Sequence, residues 1–337
     1  MLVSHSTFDA AFQIVTSLLA IVTNYILFFL IRHKSPKNIG AYKYLMMYFA
    51  IFEIIYAVFD VIFLPYMHSS TCVCLLMLDP IIIRLDKDTL QVLDFIFCGS
   101  YGMLMSLFAV HFVFRYLVVS GNKTWTTSSP KTISIWISIP LLTASLWSIV
   151  CVLFLGKNEI SDALLTREIF EDVAYVGPYI DQPPLESRHN VNVFIGLGLL
   201  ILIGVVCFIC TIYFCFKCYF EVRALTKDSS KSYSYKSLQA QLFHVLIAQA
   251  IIPFLFVFLP LGALVITISL NLGHLYYGKA LTLANAIYPV FDPLPNMLMI
   301  KSYRNALFFW RNNKTVRVNV VTTSPRANNS FLENVSK

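Results

Sequence analysis

Seven stretches of this chain stay apolar for about 20 residues or more and carry almost no charge, and that limits what the sequence can fold into. They cover residues 10–31, 44–66, 92–114, 132–155, 191–216, 242–270 and 280–300. A helix needs about 20 apolar residues to cross hydrocarbon about 30 Å thick, so each run can span a bilayer. Membrane strands would instead alternate polar and apolar residues in segments of about ten. These runs do not alternate. Composition points the same way: 58% of the 337 residues are hydrophobic and 13% are charged, a balance unlike that of a water-soluble domain. The fold class expected is an all-α membrane protein, a seven-transmembrane helix bundle over residues 1–310, followed by a disordered tail at 311–337.

Orientation follows from lysine and arginine in the connections, which concentrate on the cytosolic side. Four lie between Arg32 and Lys43, three between Arg115 and Lys131, five between Lys217 and Lys236, and seven from Lys301 onward. Only Arg84, Lys87, Lys157, Arg167, Arg188 and Lys279 fall on the other side. The N-terminus is therefore expected outside and the C-terminus in the cytosol. The nine residues before the first run lack Lys, Arg and a small-residue cleavage site, so the first helix is expected to act as signal anchor. The net charge of +7 sits on loops facing anionic lipid and implies no nucleic-acid partner. After the last span, KSYRNALFFWR places Tyr303, Leu307 and Trp310 on one stripe beside Lys301, Arg304 and Arg311, a pattern for a short amphipathic helix on the membrane surface. N-x-Ser/Thr sequons begin at Asn122, Asn313, Asn328 and Asn334, all on the expected cytosolic side.

The aqueous segments hold no nucleophile elbow, phosphate-binding glycine loop, zinc spacing or catalytic carboxylate pair, so neither an enzyme nor a resident metal or cofactor is expected. Cys151, Cys207, Cys210 and Cys215 lie in apolar runs, where buried thiols are expected, and Cys218 follows one closely. Cys72, Cys74 and Cys98 remain, and the sequence does not settle whether Cys72 or Cys74 pairs with Cys98. The external loop 156–190 is acidic, with Glu159, Asp162, Glu168, Glu171, Asp172, Asp181 and Glu186.

Polar residues inside the spans are costly, so they mark internal networks or function. Asn24 lies eight residues from Arg32, Glu53 ten from Lys43, and Asp292 nine from Lys301. Each is then about 12–15 Å above the cytosolic edge. A shared cluster is expected, either as glue between the first, second and seventh helices or as the seat of a cation or shared proton. Asp60 and Asp94, near the outer ends of the second and third spans, face an external ligand or mark the boundary. Pro253 and Pro260 punctuate the sixth span, and Pro289, Pro293 and Pro295 the seventh. Pro253, Pro260 and Pro293 are the expected hinges. In LFAVHFVFRYLV, His111 and Arg115 share a helix face. Arg115 lies 21 residues after Asp94, about 31 Å along a helix, so it should reach the cytosolic edge and extend its stem towards water, lipid phosphate or a partner.

Four blocks then suggest a family. NYILFFLIRHKSPKNIGAYKYLMMYFAIFEIIY at 24–56, FAVHFVFRYL at 108–117, QLFHVLIAQAIIPFLFVFLPLG at 241–262 and YPVFDPLPNMLMIKSYRNAL at 288–307 resemble the nematode serpentine chemoreceptors of class r, the Str-type seven-transmembrane G-protein-coupled receptors. The resemblance implies an olfactory-type receptor in the plasma membrane of sensory cilia, activating a heterotrimeric G protein. It matches Arg115 and Tyr116 to the residues ending the third helix of rhodopsin-like receptors, with Phe114 replacing the usual acid. It matches Asp292-Pro293 to the seventh-helix Asn-Pro motif, without the tyrosine that usually follows. A small, volatile or apolar ligand is expected among the outer halves of helices three, five, six and seven, near Phe97, Tyr101, Phe194, Phe258 and Tyr276, selected by depth and aromatic character. The alternative is a ligand-gated cation channel subunit of inverted topology; a secondary transporter ranks below it, since no internal repeat is visible.

Overall fold

The computed structural model describes residues 7–71, 73–78, 85–157, 174–180 and 188–309. Among the described residues six helices are long and apolar enough to cross a membrane: α1 (Thr7–Lys34), α2 (Tyr42–Phe63), α3 (Lys87–Val119), α4 (Pro130–Leu155), α5 (Arg188–Lys227) and α6 (Tyr233–Ser269). The seventh span is broken. It consists of α7 (Leu275–Phe291) and α8 (Pro293–Met299), meeting at Asp292. A further short helix, α9 (Lys301–Phe309), follows.

The helices overrun the apolar runs because their ends are capped in polar segments. Asp86 caps α3, its carboxylate accepting from the Thr89 N–H at 2.9 Å and the Thr89 hydroxyl at 2.8 Å. Those two bonds hold the Asp86 carboxyl below its ordinary range. A depressed folded-state value means that the cap contributes at neutral pH and is lost as acid protonates it. Ser232 caps α6 in the same way. At its other end α2 stops at Leu64, which turns left-handed at φ 43° and returns its N–H to the Asp60 carbonyl, with Pro65 barring continuation.

The outer faces of the bundle are apolar. Leu142, Leu153, Leu202, Val206 and Ile209 are all exposed, as only a hydrocarbon solvent tolerates in such number. α3 is the hub: 61% of its apolar segment is buried, against 17% for α5. Two spans contain irregular turns. A π turn at Phe254–Phe258 lies between Pro253 and Pro260 in α6, and another, Cys151–Leu155, ends α4.

An all-α bundle is not the whole architecture. Between α2 and α3 the chain forms a hairpin of β1 (Tyr66–Ser70) and β2 (Val73–Leu78), and β3 (Ala174–Val176) pairs with β2 to complete an antiparallel sheet in the order β1-β2-β3. The register sets Tyr66 opposite Met77 and Leu78 opposite Ala174. β2 is buried along its whole length, so it shows no alternation, and a short continuous apolar run cannot be told from a buried helix fragment by period alone. The sheet caps one end of the bundle. Met67 donates its N–H to Thr282 of α7 at 2.8 Å, and the Gln91 side chain of α3 bonds the backbone of Tyr175 through both its amide nitrogen and its oxygen.

At the opposite end, Tyr303 anchors α9: its ring is buried and its hydroxyl lies 2.7 Å from Ser35 Oγ at the end of α1. Phe308 projects outward. Trp310, Arg311 and the tail lie outside the described residues, as do Cys72 and the seven acidic residues of loop 156–190.

Gly177 follows β3 at φ 153°, where an added Cβ would collide with the Cys74 carbonyl of β2. Gly177→Ala is therefore expected to displace β3 and lower the thermal midpoint of the purified protein; an unchanged melt would show that β3 does not need this close approach.

Candidate functional site

Three polar or concave features line up along the bundle from the sheet to α9. The first is a cavity of about 710 Å³ beneath the sheet, walled by α3, α4, α5, α6 and all three strands. That volume lies within the range of small-molecule sites. Most of its lining is hydrocarbon, including Trp147, Phe208, Phe254 and Phe258. Tyr101 of α3 supplies the main polar handle: its hydroxyl accepts from Asn285 Nδ2 of α7 at 2.7 Å, leaving the phenolic proton free to donate.

This position differs from the one expected. Helix seven contributes no wall and enters only through Asn285, while α4 and β2 take part. Of the five aromatic candidates, Tyr101 and Phe258 line the cavity. Phe97 instead stacks between Tyr56 and Phe59 at 5.1 and 4.8 Å, filling the α2–α3 contact. Phe194 is 39% exposed and Tyr276 72%, both away from the cavity. Choosing aromatics by depth placed them along the helices but not around them.

The second feature is a buried polar layer. Asn24, Glu53 and Asp292 come together from α1, α2 and the α7–α8 break. Pro293 lacks an N–H, so the carbonyl of Pro289, four residues earlier, loses its helical donor. Asn24 replaces it from another helix, its Nδ2 lying 3.0 Å from the Pro289 carbonyl and 3.1 Å from that of Ala20. Asp292 accepts from Gln249 Nε2 of α6 at 2.7 Å through its side chain and at 3.2 Å through its backbone. Glu53 is fully buried beside Asn24 and Asp292, with the Asn24 amide in reach of its carboxyl but no hydrogen bond of good geometry to either oxygen among the described residues. The hydroxyl of Tyr288 is equally unpartnered and faces the same acids. Asp60, nearer the sheet, is bound to Gln13 at 2.8 Å and to Ser17, so it ties α1 to α2.

The third feature corrects the direction given to the Arg115 side chain, which stays at the cytosolic end of α3 as expected but turns into the bundle instead of out to water or lipid. Arg115 is completely buried. Its Nη2 donates to Gln239 Oε1 of α6 at 2.6 Å and to the Gln239 carbonyl at 3.3 Å. The guanidinium lies 5.0 Å from the Tyr42 ring of α2, an electrostatically favourable contact. Tyr42 in turn meets His111, its hydroxyl 3.1 Å from Nδ1. His111 and Arg115 thus share one face, as their spacing requires, but are joined through Tyr42. Tyr116 points elsewhere and packs on Phe214 of α5. A stem long enough to reach the surface is equally long enough to reach α6, and the neutral Gln239 decides between them.

Gln239 and Gln249 belong to the site as well: Gln239 lies just before the apolar run of its span, and no pattern in the sequence marks it. Gln249 was the detectable one, a polar side chain within an apolar run that precedes Pro253 by four residues. Cys74 and Cys98 are both free thiols. Among the described residues no group of three or more His, Cys, Asp or Glu is arranged to hold a metal.

Gln239→Leu is expected to destabilise the α3–α6 contact by about 1.5–3 kcal/mol, the worth of a hydrogen bond to a charged group. The readout is the thermal midpoint in detergent, compared with Gln239→Glu, which keeps an acceptor. Equal midpoints for wild type and the leucine variant would mean that Arg115 finds another acceptor.

Comparison with known proteins places these features in context. The family model described as serpentine type 7TM GPCR chemoreceptor Str matches residues 9–308. The chain is 29% identical over 315 residues to the G-protein coupled receptor str-217 of Caenorhabditis elegans, covering 89% of each. It is 25% identical over 334 residues to serpentine receptor class r-10 of the same species, covering 94% of each. Squid rhodopsin shares the fold at a TM-score of 0.56 and 13% identity, over 91% of this chain and 85% of that one.

Proposed function

The chain belongs to the Str family of serpentine seven-transmembrane G-protein-coupled chemoreceptors, and on that premise we propose that it binds a small external ligand in the cavity beneath the sheet and activates a heterotrimeric G protein at the opposite end. The observation that carries this reading is the placement of two sites on one helix. Tyr101, which lines the cavity, and Arg115, which is held by Gln239, both lie on α3, 14 residues or about 21 Å apart. α6 walls the cavity with Phe254 and Phe258 and supplies Gln239 to Arg115. A ligand that alters the packing of α6 around its Pro253–Pro260 segment therefore acts on the Arg115 contact directly.

The ligand class follows from the lining. Hydrocarbon and thiol surfaces favour a small apolar molecule, and the free phenolic proton of Tyr101 favours one that presents a single acceptor oxygen or nitrogen. Signalling then requires α6 to move away from Arg115, releasing the guanidinium to a G-protein segment that offers carbonyl or carboxylate acceptors. The Glu53–Asp292 layer lies between the two sites and sets the balance between the closed and open arrangements. The receptor orientation expected from the loop charges has the N-terminus outside, and the family match and rhodopsin-like fold favour it over the inverted channel topology.

A ligand screen with a G-protein readout tests the whole reading. With an active ligand in hand, Tyr101→Phe is expected to raise the half-maximal concentration about tenfold, as one lost hydrogen bond of about 1.4 kcal/mol requires. Arg115→Ala at normal surface level is expected to lose most nucleotide exchange while retaining ligand binding; normal exchange would remove the coupling role. Glu53→Gln and Asp292→Asn keep volume and hydrogen-bonding capacity, so a shift in basal signalling isolates the effect of charge. Wild-type signalling in both would leave the layer as structural glue. The sequons at Asn122, Asn313, Asn328 and Asn334 should stay unglycosylated, and modification of Asn313 would reverse the topology.

A further inference from the structure

The cavity has a flank as well as a roof. At its sheet end Met67, Leu76 and Val176, one from each strand, cover it, so a ligand arriving from water there has paired strands in its way. Between α5 and α6 the wall is thinner. Ile201, Val205 and Phe208 recur on α5 at the spacing of one helix face, and Ile251, Phe254 and Ile266 of α6 line the same space. All six line the cavity, yet all six are also exposed. Two helices packed tightly along this seam would bury them. Each lies within an apolar span, so the solvent that reaches these side chains is the hydrocarbon of the bilayer.

Different neighbours hold the two helices apart. The sheet end of α5 packs on α4, where Val193 and Leu197 are buried and Gly196 comes so close that an added Cβ would collide with Phe154. The sheet end of α6 packs instead on β1 and β2, where Leu264 and Ile268 are buried. At Gly262, which lines the cavity, an added Cβ would meet no atom of the described residues within 4 Å. Towards the Arg115 end the helices close again, with Cys218, Val222 and Phe243 buried and the rings of Tyr219 and Phe243 6.3 Å apart. Phe208 and Phe254 bridge the gap: their ring centroids lie 6.0 Å apart and their planes 22° from parallel. Phe208 is 51% exposed and Phe254 41%. Rings exposed to that degree change rotamer quickly without unpacking the core. Phe254 also opens the π turn between Pro253 and Pro260, a kind of irregularity frequent at functional sites.

We propose that the gap between α5 and α6 is a lateral portal, gated by the stacked rings of Phe208 and Phe254, through which the ligand enters the cavity from the bilayer. The occupant is a small apolar molecule dissolved in the membrane and carrying one acceptor atom for the Tyr101 hydroxyl. The route selects it. A molecule that stays in water never concentrates at the portal, because hydrocarbon surrounds it, and the sheet stands between that molecule and the cavity. A phospholipid meets the opposite obstacle: among the described residues the lining holds no charged side chain to receive a headgroup, and burying one unpaired is costly. Specificity thus has two stages. Partition into hydrocarbon decides which molecules reach the rings, and the Tyr101 hydroxyl decides which of them stay. This inference rests on the reading of the cavity as the ligand site but does not require G-protein coupling.

The experiment uses the full chain in phosphatidylcholine nanodiscs and a series of straight-chain methyl ketones of increasing length, each carrying a photoreactive diazirine. Protein and probe are mixed, flashed after varied delays, and the labelled peptides mapped. Saturable labelling of the α3 and α4 segments that wall the cavity is expected. At a fixed concentration in water the association rate should rise about fourfold with each added methylene, as partition into hydrocarbon does; a rise below about twofold means entry from water and overturns the portal. Phe208→Ala combined with Phe254→Ala should raise association and dissociation rates together, by up to about tenfold, the worth of one stacked aromatic pair. Faster dissociation with unchanged association would reduce the two rings to wall contacts and overturn the gate. Equal labelling by a phosphatidylcholine with the diazirine in its acyl chain would overturn the small-molecule occupant. If no ketone labelled the cavity saturably, the ligand reading itself would fall, whereas saturable labelling at a rate independent of chain length removes the portal alone. The chain-length series is run on the wild-type protein, so it decides the route even if the double variant fails to fold.

Discussion

Hydrocarbon offers no hydrogen bonds, so a polar atom inside this bundle gains a partner only from the protein itself. The contacts between helices follow from that constraint. Gln13 and Ser17 of α1 bind Asp60 of α2, Asn24 of α1 binds the Pro289 carbonyl of α7, Gln249 of α6 binds Asp292, and Ser148 of α4 binds the Phe95 carbonyl of α3. Apolar packing alone distinguishes poorly between one helix face and another, since lipid tails are as apolar as leucine. The sparse polar pairs fix which faces meet.

The same constraint explains where the bundle is irregular. A proline in the seventh span frees the Pro289 carbonyl, and the cost is met by Asn24 rather than by a straight helix. The break exposes Asp292 to Gln249, and so the sixth and seventh spans meet through one amide. Contacts of this kind are strong while made and can be exchanged for others of similar strength, whereas a tightly packed apolar seam resists sliding. α3, buried along most of its length, lines the cavity and carries Arg115, which α6 holds through Gln239.

Arg115 illustrates how far local reasoning extends. Its place on α3, its shared face with His111 and its depth at one end of the bundle all follow from counting residues. Its burial does not. The arginine stem reaches both the surface and α6, and the outcome depends on Gln239, which lies 124 residues later and outside the apolar run of its own span. Asn24, Glu53 and Asp292 lie beside one another, and helices of fixed rise in a slab of fixed thickness align polar positions at equal depth. Phe194 and Tyr276 share suitable depth yet face away, because depth says nothing about rotation around the helix axis.

The sequence by itself determined the solvent, the number and limits of the apolar spans, the breaks at prolines and the likeness to one receptor family. These properties are local or additive: run length, charge and missing N–H groups act where they stand. The tertiary structure decided which face of each helix turns inward, that the segments after α2 and α4 pair as a sheet, and that Arg115 meets Gln239. Each of those outcomes depends on the relative rotation of two elements distant in sequence, a quantity set by the packing of the whole bundle and written in no single segment of the chain.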